Sequence, residues 1–149
     1  MTLFDKRQLQ MQVLVTPEMS NFSGEMHGGD LLKILDRTAY TAALRYTGKD
    51  VVTLSVDRVL FKQPIHIGEL VTLLANVNYT GRTSLEIGIK VIAEDMKNQS
   101  VRHTNSCFFT MVAVENGKTV LIDPLNPSTE EEKRRFEEAV ERRRAAGLF

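Results

Sequence analysis

Polar and apolar residues alternate along Arg7-Gln-Leu-Gln-Met-Gln-Val-Leu-Val15. A period of two puts the two sets on opposite faces, which predicts a strand with one wet side. Thr16-Pro17 closes the run, since proline cannot donate to a ladder. After a loop over residues 18–26 the period becomes that of a helix, from about residue 29 to 46. At about 100° per residue, Leu31, Leu32, Leu35, Ala39, Ala42, Ala43 and Tyr46 share one stripe, with Lys33, Arg37, Thr41 and Arg45 opposite. Such a helix is ~27 Å long. Asp30 suits the positive end of its dipole, and Gly48 stops it.

Past Gly48 the pattern is that of strands. Residues 51–62 are rich in β-branched side chains and halt before Pro64; further runs cover 70–79, 84–94 and 101–114, separated by Gly68, Gly81 and Lys97-Asn98. Asn116-Gly117 favours a tight hairpin into residues 119–122. Short turns without intervening helices predict antiparallel pairing. One strand, one long helix and then a meander require the sheet to bury the helix, so the class is α+β.

The composition shifts after Asp123-Pro-Leu-Asn-Pro127. Ser128-Thr-Glu-Glu131 reads as a capping box. Acids at Glu130–Glu132 and bases at Arg142–Arg144 follow the order that a helix dipole favours. Apolar residues are sparse here (Phe136, Ala139, Val140), which predicts a solvated surface helix or frayed tail. The lesser alternative has Lys133, Arg134 or Arg135 meeting a phosphate.

Length and charge narrow the picture. The 149 residues suit one domain with a real core. Nineteen basic and nineteen acidic side chains cancel, so overall charge gives no case for nucleic acid or an anionic membrane. The single Cys107 excludes an internal disulfide and fits a reducing compartment. No run reaches the ~20 apolar residues of a membrane span, and the first residues lack a signal-peptide core. The expected setting is cytoplasmic.

Three kinds of chemistry drop out. His27, His66 and His103 are scattered without ligand spacing, so no metal is expected. Cys107 sits in a strand context without a base partner. Neither a phosphate-cradling loop nor a dinucleotide fingerprint occurs. What remains is Asp36, a carboxylate on the flank of the apolar stripe, in a helix that begins His27-Gly28-Gly29. Free N–H groups at a helix start can hold a developing oxyanion, and a carboxylate can activate water for attack on an activated carbonyl. The alternative is a capped helix whose Asp36 pairs with an arginine across the core.

The motifs Asn21-x-x-Gly24-x-x-His27-Gly28-Gly29, Leu35-Asp36 with Ala39, and Val51-Val-Thr-Leu-Ser-Val-Asp57 come in one order. Phe61-x-x-Pro64, Gly68-Glu69, Tyr79-Thr-Gly-Arg-Thr-Ser84, Phe108-Phe-Thr-Met-Val-Ala-Val114 and Glu130-Glu-Glu-Lys-Arg-Arg-Phe136 follow. Together, over residues 12–136, they resemble the hotdog-fold acyl-CoA thioesterases, in the branch of bacterial acyl-CoA hydrolases and the brain-type cytosolic hydrolase.

The resemblance implies a hotdog domain over residues 1–126, with a long central helix wrapped by an antiparallel sheet, and a charged C-terminal helix over 127–149. It implies homodimers with joined sheets, assembled as a trimer of dimers. It places Asp36 of one subunit against the His27-Gly28-Gly29 loop of the other, Asp36 serving as general base or nucleophile and a Gly28 or Gly29 N–H polarising the thioester carbonyl. In some relatives an Asn or Asp just before this loop joins the site; here Glu25 takes that place, with Asn21 four residues earlier. For coenzyme A phosphates, which need basic partners, Arg82 in the 80–84 turn is the first candidate, with Ser84 in the same turn and Arg58 and Lys62 behind it. Alternation would put Arg58 and Lys62 on one strand face. Thr53 is near enough in the family pattern to line the pocket, and His27 shapes the loop. No cofactor beyond substrate coenzyme A is implied. The alternatives are an enoyl-CoA hydratase, whose Asp/His loop Glu25-Met26-His27-Gly28 resembles loosely, and a non-catalytic acyl-CoA-binding module.

Overall fold

A 20-residue helix, α1 (Gly28–Thr47), lies against one antiparallel sheet whose first strand, β1 (Gln8–Leu14), precedes it. Then come β2 (Asp50–Asp57), β3 (Leu70–Thr80), β4 (Ser84–Asp95), β5 (Ser100–Glu115), β6 (Lys118–Thr119) and a second helix, α2 (Glu130–Ala145). This computed structural model describes residues 5–148. Phe149 and the first four residues of the stretch read above for a signal peptide lie outside them. The strand order is β1-β3-β4-β5-β2, with β6 on β5, and every pairing is antiparallel.

The helix stays where it is because its stripe is matched by the inward residues of the sheet. Leu35, Ala39 and Ala43 on α1 are fully buried against Leu73, Leu85, Ile87, Phe109 and Met111. Thr38, also fully buried, satisfies its hydroxyl by donating to Ile34 O at 2.8 Å. Gly48 ends the helix with φ 66, and its N–H returns to Leu44 O.

The stripe is rotated from its expected position. Ile34 is buried, whereas Leu32 is 39% exposed and continues along the row Leu32, Asp36, Tyr40, Leu44 on the open side of the helix. Hydrophobicity alone cannot distinguish a core position from one left open for another surface.

Three strand expectations need correction. The 51–62 run stops at Asp57, because Arg58 takes a left-handed φ of 62. The alternation argued for Arg58 and Lys62 therefore does not apply. Second, β2 does not pair with β3 but crosses to the far edge beside β5, leaving only β3 to β6 as a meander. Third, the hairpin through Asn116 (φ 53) and Gly117 (φ 76) forms, but its return strand is two residues long.

The C-terminal helix is no frayed tail. The cap is Thr129 rather than Ser128: Thr129 Oγ1 accepts from Glu132 N at 3.1 Å. On the outer face of the sheet, Arg142 grips the buried Glu86 through Nε–Oε1 (3.0 Å) and Nη2–Oε2 (2.7 Å), and Asn78 Nδ2 donates to the same carboxylate. The Arg142 guanidinium lies 3.6 Å from the Phe108 ring centroid. Beside it Phe136 meets Tyr79, and Arg143 Nη2 donates to Ser84 Oγ.

Candidate active site

The start of α1 is built by its preceding loop. Asn21 Oδ1 accepts from Ser23 N and Glu25 N, and Asn21 N donates to Glu25 O, so this side chain closes a tight turn. Gly24 completes it with φ 77, a conformation that strains other residues. His27 then occupies the N-cap in an extended conformation without capping through its side chain. Gly28 and Gly29 are the first two helical residues, and their amides have no acceptor within the helix.

Gly28 borders a cleft of about 450 Å³ lined also by Glu25, Met26, Leu31, Phe61, Gln63, Pro64 and Ile65. Its walls are mainly apolar, with positive helix-dipole charge at one end. The Phe61 ring approaches Gly28 so closely that a Cβ there would lie 3.6 Å from it.

Two turns along α1 lies Asp36, exposed and paired with no arginine among the described residues. Its partner is Thr53, whose Oγ1 donates to Asp36 Oδ1 at 2.7 Å. Thr53 occupies β2 at a bulge, where the pairing with β5 slips between Thr53 and Ser55. Such a bulge re-aims side chains on an edge strand. Around this pair Tyr40, Val52, Leu54 and Val56 stay exposed, by 41%, 49%, 57% and 38%.

Gly28 and Asp36 are eight residues apart, about 12 Å along the axis. One carbonyl carbon and its oxygen are only ~1.2 Å apart. Within one chain, the free amides of a helix start point out along the axis, away from Asp36, which lies two turns behind them.

The remaining candidates fall in three places. Arg58 and Lys62 flank the irregular segment after β2 and are exposed; Arg82 is exposed in the β3–β4 turn. None of the three forms an ion pair among the described residues. The ladders link Thr53 to Met111 and Met111 to Leu85, so Arg82 lies at the Asp36 end of the sheet rather than beside the cleft. The Ser84 hydroxyl is engaged by Arg143 from α2. Cys107 is fully buried, and burial pushes its thiol up to about 12, which leaves no thiolate for attack. No group of three or more His, Cys, Asp or Glu side chains gathers as a metal site among the described residues.

Residues 23–99 match the model of the thioesterase superfamily. The chain belongs to that superfamily. It is 53% identical to protein VdlD of Helicobacter pylori over 93% of this chain and 80% of the relative. The superfamily frame extends to three dimensions. A hexameric acyl-CoA thioesterase superposes with a TM-score of 0.89 at 34% identity, covering 94% of this chain and 90% of its own. The acyl-CoA hydrolase of Staphylococcus aureus, solved with butyryl-coenzyme A and coenzyme A, gives 0.85 at 29%, covering 96% and 90%. Single alanine variants of that hydrolase exist at an asparagine, an aspartate and a threonine, and their spacings of 15 and 17 residues are those separating Asn21, Asp36 and Thr53 here. The hotdog architecture expected from the motifs is the one observed.

Sequence reasoning did not single out the cleft walls Met26, Leu31, Gln63 and Ile65. They come from separate segments and carry no motif for a pocket; only their common proximity to Gly28 marks them.

Proposed function

We propose that this protein hydrolyses acyl-CoA thioesters to a free acid and coenzyme A, in a site shared by two copies of the chain. The observation that carries the reading is the separation of the two reactive halves. Asp36, oriented by Thr53, and the free amides of Gly28 and Gly29 are each exposed to a neighbour yet about 12 Å apart along one helix. The apolar row of Leu32, Tyr40 and Leu44 and the bulged edge of β2 make a surface that a second copy would cover. Its helix start would then face Asp36.

The reaction balances with water alone. Thr53 occupies Oδ1 of Asp36 and leaves Oδ2 to take a proton from water. The water oxygen bonds to the thioester carbon, and the carbonyl oxygen gains charge against the Gly28 or Gly29 amide. Collapse breaks the C–S bond, the proton passes from Asp36 to the departing thiolate, and the new acid gives its own proton to solvent and leaves as carboxylate. A thiolate is a good leaving group, so no metal or redox cofactor enters this scheme.

Arg82, with Arg58 and Lys62, supplies cations for the coenzyme A phosphates. Asn21 acts by closing the loop before the helix. Glu25 belongs to the glycine half, where it lines the cleft. By analogy with the hexameric neighbour, dimers assemble in threes. The cytoplasmic setting goes with this reading, and no helix among the described residues is long and apolar enough to cross a membrane.

The test is release of free thiol from a panel of acyl-CoAs of increasing chain length, with oligomer mass measured by light scattering. Thiol release with at least one saturated acyl-CoA is expected. No thiol release, with loss of conjugation in crotonyl-CoA, would replace the reading with hydration. Tight binding without turnover would leave a binding module.

A further inference from the structure

Arg102, on β5, reaches away from its own strand to the segment that walls the cleft. Its Nη1 and Nη2 donate to Glu69 Oε2 (2.6 Å) and Oε1 (2.8 Å), and Nη2 also donates to Pro64 O (2.6 Å). Glu69 is 6% exposed, an unfavourable place for a carboxylate unless it is paired. Its Oε1 accepts in addition from His66 N, and Glu69 N donates to His66 O, so residues 66–69 form a closed loop. The Arg102 hydrogen bond holds the Glu69 carboxyl below the usual carboxylate range.

This loop is the surface against which the approach to α1 is laid. Met26 N donates to Ile65 O, Ile67 N donates to Gly24 O, and Glu25 bridges to His66. His27, next after Met26, occupies the N-cap position of the helix whose first amide is that of Gly28. Two bonded steps thus connect the guanidinium to the helix start, and Pro64 and Ile65 face Gly28 across the cleft.

We infer that Arg102 is a positioning residue for the amide end of the site, acting through Glu69 and the Pro64 carbonyl. The inference deepens the thioesterase reading and rests on it for its kinetic consequence. A lysine cannot replace the arginine, because one ammonium does not span two carboxylate oxygens and a carbonyl in a fixed plane. A misplacement of ~1 Å in such a site costs about 10²-fold in rate.

Arg102→Met alone leaves a buried carboxylate unpaired and destabilises the fold, which would confuse the outcome. The informative variant is Arg102→Met with Glu69→Met, which removes both charges together and keeps comparable volume. Its melting temperature should stay near wild type while kcat falls about 10²-fold with KM for acyl-CoA little changed. Arg102→Lys should lie between wild type and the double variant. Amide exchange gives a second readout independent of turnover: the protons of Met26 and Ile67 should exchange at least about tenfold faster in the double variant. Wild-type kcat in the double variant, or unchanged protection of those two amides, would overturn the inference. If the wild-type protein released no thiol, the exchange measurement would still decide the clamp, and only the thioesterase reading would fall.

Discussion

Thr53 Oγ1 donates a 2.7 Å hydrogen bond to Asp36 Oδ1, joining the middle of α1 to the bulge of β2. The bond fixes one oxygen of an exposed carboxylate. It also explains how an acid can lie on the flank of an apolar stripe without an arginine: the flank is the open side of the helix, and the acid's polar contact is a hydroxyl.

Asp36→Asn should fold like wild type and lose about 10²- to 10⁴-fold in kcat, the range for removing a positioned general base. Thr53→Val should lose about 10- to 100-fold, as expected for one hydrogen bond to a charged group. Both are read from thiol release at saturating acyl-CoA. Wild-type turnover by Asp36→Asn would remove this carboxylate from the mechanism.

Gly28 allows the amide itself to be tested. It is the first helical residue, its predecessor His27 is extended at ψ 133, and space for a Cβ exists beside Phe61. Proline is tolerated at such a position and deletes only the N–H. Gly28→Ala should therefore retain activity, whereas Gly28→Pro should lower kcat about 10²- to 10³-fold at similar melting temperature. Equal rates for the two would transfer the role to Gly29.

Arg82→Ala should raise KM for acyl-CoA about tenfold, the scale of a charge-assisted hydrogen bond, and lower kcat less. A short thioester lacking coenzyme A should show the same KM in both proteins. An unchanged KM for acyl-CoA would leave the phosphates to Arg58 and Lys62.

Gly88 faces Asn78 on the outer side of the sheet, and a methyl at 88 would overlap Asn78 Nδ2. Displacing Asn78 would disturb the Glu86 carboxylate that holds Arg142. Gly88→Ala should destabilise the protein by about 1–3 kcal/mol, as overpacking does. The change is read by denaturant melting, with proteolysis reporting whether α2 loosens first.

Much of this molecule is written in local pattern. The period of two at residues 7–15, the helical stripe of α1, the left-handed stop at Gly48 and the Asn116-Gly117 turn each follow from neighbours in the chain. So do the two candidate site elements picked out by motif, Asp36 and the His27-Gly28-Gly29 helix start. Other features depend on residues far apart in sequence, and no local pattern marks them. Arg142 and Arg143 look like solvated charges until the outer face of the sheet supplies Glu86, Ser84 and two aromatic rings. Arg102 looks like one more strand residue until Glu69 and Pro64 come within reach.

The sequence by itself determined which elements form and which end of the helix carries free amides, because period, caps and turn residues act over a few positions. Only the tertiary structure decided that β2 crosses to the far edge, that Thr53 meets Asp36, and that the open flank of α1 is Leu32's side. Those outcomes depend on which surfaces the sheet covers, a property of the whole chain packed at once.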